Sequence, residues 1–167
     1  VRGQAPSNVL FPESDLVVHQ FRTMQLLGKH SDVPVARMRW AEPDPGVLGR
    51  PFFVMDRLHG LVPGDSPPYT HEGWLLDEAT PAQRRTLVES GLEAMAKVHG
   101  VDWHALGFDF LDKPQYGKLG FEQQLRYYEA SFEWATGSNP APTVGIAALD
   151  WVRAHAPERD PEITVCW

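Results

Sequence analysis

The sequence predicts an α+β protein, with short strands gathered before Gly60 and helices dominating after it. Two observations carry that expectation. One helical pattern and two short extended segments, Met38–Ala41 and Pro51–Leu58, occupy the first part, whereas three longer helical patterns fill the rest. The chain is also 43% apolar, with six Trp, eight Phe and four Tyr, which is enough large side-chain surface for a folded core. No internal repeat or coiled-coil heptad is present.

The elements follow in order. Gly3 to Ser14 reads as loop, with Pro6, Asn8 and Pro12. Asp15 can cap a helix whose Val18, Phe21, Met24 and Leu27 share one face, with Gly28 as its stop. His19, Gln20, Arg22 and Gln25 make its polar side. Val33-Pro34-Val35 is extended, because a residue before proline avoids the α region. Met38–Ala41 reads as a strand, Asp44-Pro45-Gly46 as a turn, and Pro51–Leu58 as the clearest strand of the chain. Its apolar run turns charged at Asp56-Arg57. That change suits a strand finishing at a cleft, and equally one leaving the core.

Leu61–Asp77 reads as loop, punctuated by Pro63, Gly64, Pro67, Pro68 and Gly73. Thr80 then caps a helix with Pro81 at its first position and Gln83 completing a capping box. Leu87, Gly91, Ala94, Met95 and Val98 form its expected buried stripe, with Gly91 admitting a close helix crossing and His99-Gly100 ending it. The aromatic stretch Val101–Phe110 packs inward. Further helices are expected over Phe121–Ala135, aligning Leu125, Tyr128 and Phe132, and over Val144–Ala156, aligning Ile146, Leu149 and Val152. After the turn-like Arg159-Asp160-Pro161-Glu162, Ile163–Trp167 has strand composition, with Cys166 expected to be buried in it. From that apolar ending, and a start at Val1-Arg2 without methionine, the chain is expected to be a piece of a longer protein.

Charge and motifs narrow the function classes. A net charge of −7, from 22 acidic and 15 basic side chains, argues against a broad nucleic-acid surface. Arg37 and Arg39 stand isolated, and Arg84-Arg85 is a single pair on a helix. A lone cysteine excludes an internal disulfide and suits a reducing, cytoplasmic compartment. No apolar run reaches spanning length, so no membrane association is expected. Phosphate-binding loop, dinucleotide fingerprint and nucleophile elbow are all missing. The seven His are scattered without zinc-ligand spacing. Asp109 and Asp112 fit solvated or capping roles better than a catalytic pair.

At Phe52-Phe53-Val54-Met55-Asp56-Arg57-Leu58-His59-Gly60 the chain resembles the strand and inter-lobe linker of the aminoglycoside phosphotransferase family, small-molecule relatives of protein kinases. Val33–Arg37 looks like the segment before that family's fourth strand, and Ala94–His99 like the end of the first long helix of its large lobe. Val101–Phe108 and Phe121–Tyr128 are similar to the branch associated with acyl-CoA dehydrogenases.

The resemblance implies a protein-kinase-like two-lobe fold. Residues 1–60 would be a partial nucleotide-binding lobe with its linker, and 61–167 a partial helical lobe ending before the catalytic loop. It implies ATP and Mg²⁺ as cofactors and a hydroxylated small molecule as acceptor, with no specific protein partner. Met55 would back the adenine pocket. Asp56 would offer its backbone carbonyl, and Leu58 its backbone N–H, to the adenine edge. Arg2 would reach the phosphates in place of the family's lysine. Gln20 falls where that family often carries a glutamate paired with this base, and a neutral amide departs from that pattern. Catalytic and metal-binding side chains are expected after Trp167, with none inside this chain, so the segment by itself is expected to be inactive. The alternatives are a non-catalytic kinase-like module that binds a nucleotide or metabolite, and a structural helical domain. Trp103, Phe108 and Phe110 are candidates for an apolar acceptor pocket, against ordinary core packing.

Overall fold

In a computed structural model, residues 1–4, 16–137, 139–140, 142–160 and 162–166 are described. The expected Asp15 cap, most of the Gly3–Ser14 loop and Trp167 lie outside them. The architecture is α+β: a small open antiparallel sheet accompanied by five α-helices among the described residues. It fits a kinase-like two-lobe plan. No described helix is long and apolar enough to cross a membrane.

The sheet has strands β1 (Arg2–Gly3), β2 (Met38–Glu42) and β3 (Phe52–Met55), with β3 in the centre. Gly3, expected to open the leading loop, therefore belongs with Arg2 to a strand. Arg2 lies opposite Phe53, and so does Ala41. Opposed residues share a sheet face and alternate residues return to it. Arg2, Phe53 and Met55 consequently lie on one face. Phe53 is fully buried there, with the Phe21 ring centroid 5.9 Å from its own. Phe21 ends a π-helical stretch, Leu16–Phe21, that runs into α1 (Arg22–His30).

Gly28 does not end α1, which continues to His30 and stops at Ser31. A Cβ at Gly28 would stand 3.1 Å from Val35 Cγ2, so this glycine serves close packing against the following segment. Strand β3 is also shorter than Pro51–Leu58. Its partner β2 begins at Met38, and the last rung beyond the ladder is Asp56 N–H donating to Arg37 O at 2.9 Å. Past that rung no described strand pairs with the chain.

Residues 61–77 are mostly loop but contain the single-turn α2 (Trp74–Asp77), fixed by Trp74 Nε1 donating to Val62 O at 3.2 Å. Helix α3 (Pro81–His99) begins at the expected capping box: Gln83 N donates to Thr80 Oγ1 at 3.3 Å, and Thr80 N to Gln83 Oε1 at 2.8 Å. The expected buried stripe fails. Within α3 only Val98 is buried, while Leu92 is 58% exposed and Leu87 and Met95 are also open. Nothing lies within 4 Å of a Cβ built on Gly91, so no described helix crosses there.

Leu27, Val33, Val98, Phe108 and Val165 form a buried cluster, with Val101, Trp103, Leu106 and Phe110 packed around it. The aromatic stretch thus packs inward as expected. The cluster joins residues from both sides of Gly60. Segment Glu162–Cys166 has no regular secondary structure and pairs with no described strand, so the expected terminal strand is absent among the described residues. It is held through its side chains instead: Val165 is buried in the cluster, and the Thr164 hydroxyl bonds to His99 O. Cys166 faces outward and is exposed, contrary to expectation.

Helix α4 spans Phe121–Thr136 and α5 spans Thr143–Ala154, each within two residues of its expected bounds. The buried side chain of α4 is Gln123, whose Nε2 donates to Asp112 Oδ1 at 2.8 Å and Gly117 O at 2.9 Å, whereas Tyr128 is exposed. Arg153 ties α5 to α4 through Glu129 at 2.8 Å.

Candidate functional site

The free end of β3 is where the sheet, the helical segment and the linker converge. Met55 is the last residue of β3 and shares the face of Arg2. Asp56 follows directly, and Leu58 lies two residues beyond, 71% exposed. The Asp56 N–H is taken up by Arg37 O, but among the described residues neither the Asp56 carbonyl nor the Leu58 N–H is paired within the protein. A carbonyl and an N–H left open at a strand end form an acceptor–donor edge suited to a planar heterocycle.

Gln20 sits one residue before Phe21, on the segment that covers this face. Its Oε1 is buried without a hydrogen-bond partner. The structure brings Arg2 and Met55 to one face and Asp56 and Leu58 to one linker. It forms no bond between Arg2 and Gln20 among the described residues.

One residue at this end stands out that sequence reading passed over. Arg39 Nε donates to Asp56 Oδ1 at 2.5 Å, and Arg39 Nη2 to Asp56 Oδ2 at 2.9 Å, a two-pronged ion pair. The hydrogen bond that Arg39 donates to Asp56, and then the charge of that carboxylate, hold the Arg39 guanidinium above its ordinary pKa. A separation of 17 in the sequence conceals the pair there. Only the pairing of β2 with β3 brings them together.

The remaining candidates separate. His104 Nδ1 is 2.6 Å from Asp109 Oδ1, an exposed pair beside the aromatic stretch. Asp112 is engaged by Gln123. Phe108 is fully buried and stacks with Phe110, which also stacks with His19 at 6.3 Å and carries the Arg22 guanidinium 4.2 Å over its ring. Those two rings are packing residues. Trp103 instead borders a concavity of about 690 Å³, between His99–Trp103 and Glu162–Thr164 and away from the linker. Among the described residues no three His, Cys, Asp or Glu side chains are grouped to hold a metal ion. The described residues therefore do not supply a site for Mg²⁺.

A sheet with an open strand end, a helical segment over one face and a following helical part are consistent with a kinase-like fold. Residues 11–167 match the phosphotransferase enzyme family, and the chain belongs to it. It is similar to a solved structure from Ralstonia eutropha assigned as an aminoglycoside phosphotransferase, with 26% identity and a TM-score of 0.58, over 86% of this chain and 39% of that one. It is 26% identical to the Arabidopsis thaliana protein IBR3, named as an acyl-CoA dehydrogenase, over 96% of this chain and 18% of that protein. It is 24% identical to mouse acyl-CoA dehydrogenase family member 10, over 95% of this chain and 14% of that protein. The chain thus spans less than a fifth of either curated relative.

Proposed function

We propose that this chain carries the nucleotide-binding part of an ATP-dependent phosphotransferase that acts on a hydroxyl of a small molecule. The observation that supports it most is the free end of β3. There Arg2 and Met55 share a sheet face, and the Asp56 carbonyl and Leu58 N–H stand open on the linker. Met55 limits the depth of the adenine pocket. Asp56 accepts from the adenine amino group through its carbonyl, and Leu58 donates to a ring nitrogen. Arg2 neutralises phosphate charge, as phosphoryl transfer requires.

Residues 1–60 form the partial nucleotide lobe and linker in this reading, and 61–167 the partial helical lobe. The base that orients the acceptor hydroxyl and the ligands for Mg²⁺ are assigned beyond Trp167, so this segment alone transfers no phosphate. The names of the two curated relatives support a hydroxylated acyl compound over an aminoglycoside as acceptor, and support the branch associated with acyl-CoA dehydrogenases as the reading for this chain.

The non-catalytic alternative has one observation in its favour. Gln20 presents a neutral, unpartnered oxygen where a charged partner for Arg2 would serve catalysis better.

Calorimetric titration of the full-length protein with adenosine and ATP tests the site. Met55→Trp is expected to weaken both about tenfold or more, because the indole fills the pocket, while the melting temperature holds. Unchanged adenosine binding would remove Met55 from the site. An acceptor panel with product mass then separates transfer from binding alone.

A further inference from the structure

The nucleotide reading assigns Asp56 a backbone role and leaves its carboxylate idle. The structure occupies that carboxylate fully. Both oxygens are engaged by Arg39, through Nε at 2.5 Å and Nη2 at 2.9 Å. A parallel fork of this kind fixes the plane of the carboxylate as well as its distance. The backbone of the same residue is fixed independently, by its N–H donating to Arg37 O at 2.9 Å. Asp56 is therefore held at two points by one short segment, Arg37–Arg39, just where β3 ends and the linker starts.

The local strand geometry explains how Arg39 reaches it. Met38 lies opposite Met55 and Trp40 opposite Val54, so Arg39 is the extra residue of an irregularity in β2. An extra residue in an antiparallel pair breaks the alternation and re-aims a side chain. Without it, Met38 and Trp40 would point to the same face and face residues two apart on β3. With it, consecutive β3 residues answer them and Arg39 is released from the pleat, toward the end of the neighbouring strand.

We infer that Arg39 is a positioning residue for the adenine edge. Its fork on the Asp56 carboxylate orients the Asp56 peptide, and through it the carbonyl and the Leu58 N–H that follow. This inference rests on the nucleotide reading and deepens it. Arg39 touches no part of the ligand. It restricts the linker before binding, so that less ordering remains to be done when the heterocycle arrives. Both partners are partly exposed, with side-chain exposures of 43% and 37%. The fork is thus open to screening by salt.

The test uses the full-length protein and three probes: ATP, adenosine and inorganic tripolyphosphate. Arg39→Ala and Asp56→Asn are expected to weaken adenosine and ATP by about fivefold, the scale of a well-formed exposed ion pair. Tripolyphosphate affinity, which does not use the linker, stays as in the wild type. Arg39→Lys keeps the charge but loses the fork and falls between. The exchanged pair, Arg39→Asp with Asp56→Arg, recovers part of the adenosine loss that either exchange causes alone. In the wild type, adenosine affinity declines as salt is raised, and in Arg39→Ala it does not.

Four outcomes decide. The pattern above supports the positioning role. Wild-type binding of adenosine with no change in Arg39→Ala overturns it and leaves the nucleotide site standing. Equal loss of all three probes, with a lowered melting temperature, overturns it as general damage to the sheet. No adenosine binding by the wild type overturns the nucleotide reading and this inference together.

Discussion

Replacing Phe108 by alanine asks whether the buried cluster is what ties the two parts of the chain together. Phe108 is 1% exposed and packs in one cluster with Leu27 and Val33 from before the linker and with Val98 and Val165 from after it. Removing a phenyl ring from such a place forfeits its transfer free energy and leaves a cavity, about 3–5 kcal/mol together. For a chain of this length each kcal/mol moves the melting temperature by about 2–4 °C, so a fall on the order of 10 °C is expected. Phe110 stacks on Phe108 with a centroid distance of 6.0 Å and is partly exposed, so Phe110→Ala should cost distinctly less. Leu92→Ala, on the open face of α3, is the baseline, because Leu92 is 58% exposed and loses little contact. Thermal melts followed by circular dichroism and by tryptophan fluorescence give the comparison, with coincidence of the two signals testing cooperativity. Were Phe108→Ala to melt no lower than Leu92→Ala, the cluster would not be the link between the parts. Two separated transitions in the wild type would refute the argument from the other side.

The other expectations are brief. If Arg2 reaches the phosphates, Arg2→Gln weakens ATP about tenfold through loss of charge-assisted bonds while adenosine is unaffected, and Arg2→Lys recovers part; equal weakening of both ligands would indicate damage to the sheet. Two helix glycines should respond with opposite sign. A Cβ at Gly145 would stand 2.5 Å from Phe132 Cε2, and displacing that ring costs about 1–3 kcal/mol, more than the roughly 1 kcal/mol of helix propensity gained. Gly91→Ala meets open space and should stabilise by up to about 1 kcal/mol, as urea unfolding would read. Asp32 has its pKa lowered by the hydrogen bond from Lys97, 2.8 Å away, and by that ammonium's charge. A carboxylate depressed on folding contributes stability above its unfolded pKa and loses it as pH falls through the folded value. Any difference between wild type and Asp32→Asn should therefore be present near neutral pH and vanish below the ordinary carboxylate range, as acid titration of the melting temperature would show.

Much of the chain follows from its own local pattern. The capping box of Thr80, Pro81 and Gln83 marks the start of α3 because all its groups lie within one turn. His99-Gly100 ends the helix for a similarly local reason. The apolar run Phe52–Met55 and its change to charge at Asp56 locate β3 and its free end, and that end is where the candidate site lies. The order of segments was enough to indicate the phosphotransferase family, because several short resemblances in one order constrain each other.

What sequence could not decide depended on distant neighbours. Gly28 and Gly91 carry the same side chain, yet one admits Val35 and the other faces open space. Apolar periodicity places Leu87, Ala94, Met95 and Val98 along α3, but burial requires something to pack on them, and of these only Val98 is buried in the cluster. Ile163–Cys166 has strand composition, and no described strand lies beside it to complete a ladder. Arg39 looked like an isolated base. The pairing of β2 with β3, and the extra residue within it, set its guanidinium on Asp56. Local propensity and capping act within a turn or a few residues, so sequence determines them alone. Burial, pairing and ion contacts act between chain segments, and only the tertiary structure says which segments meet.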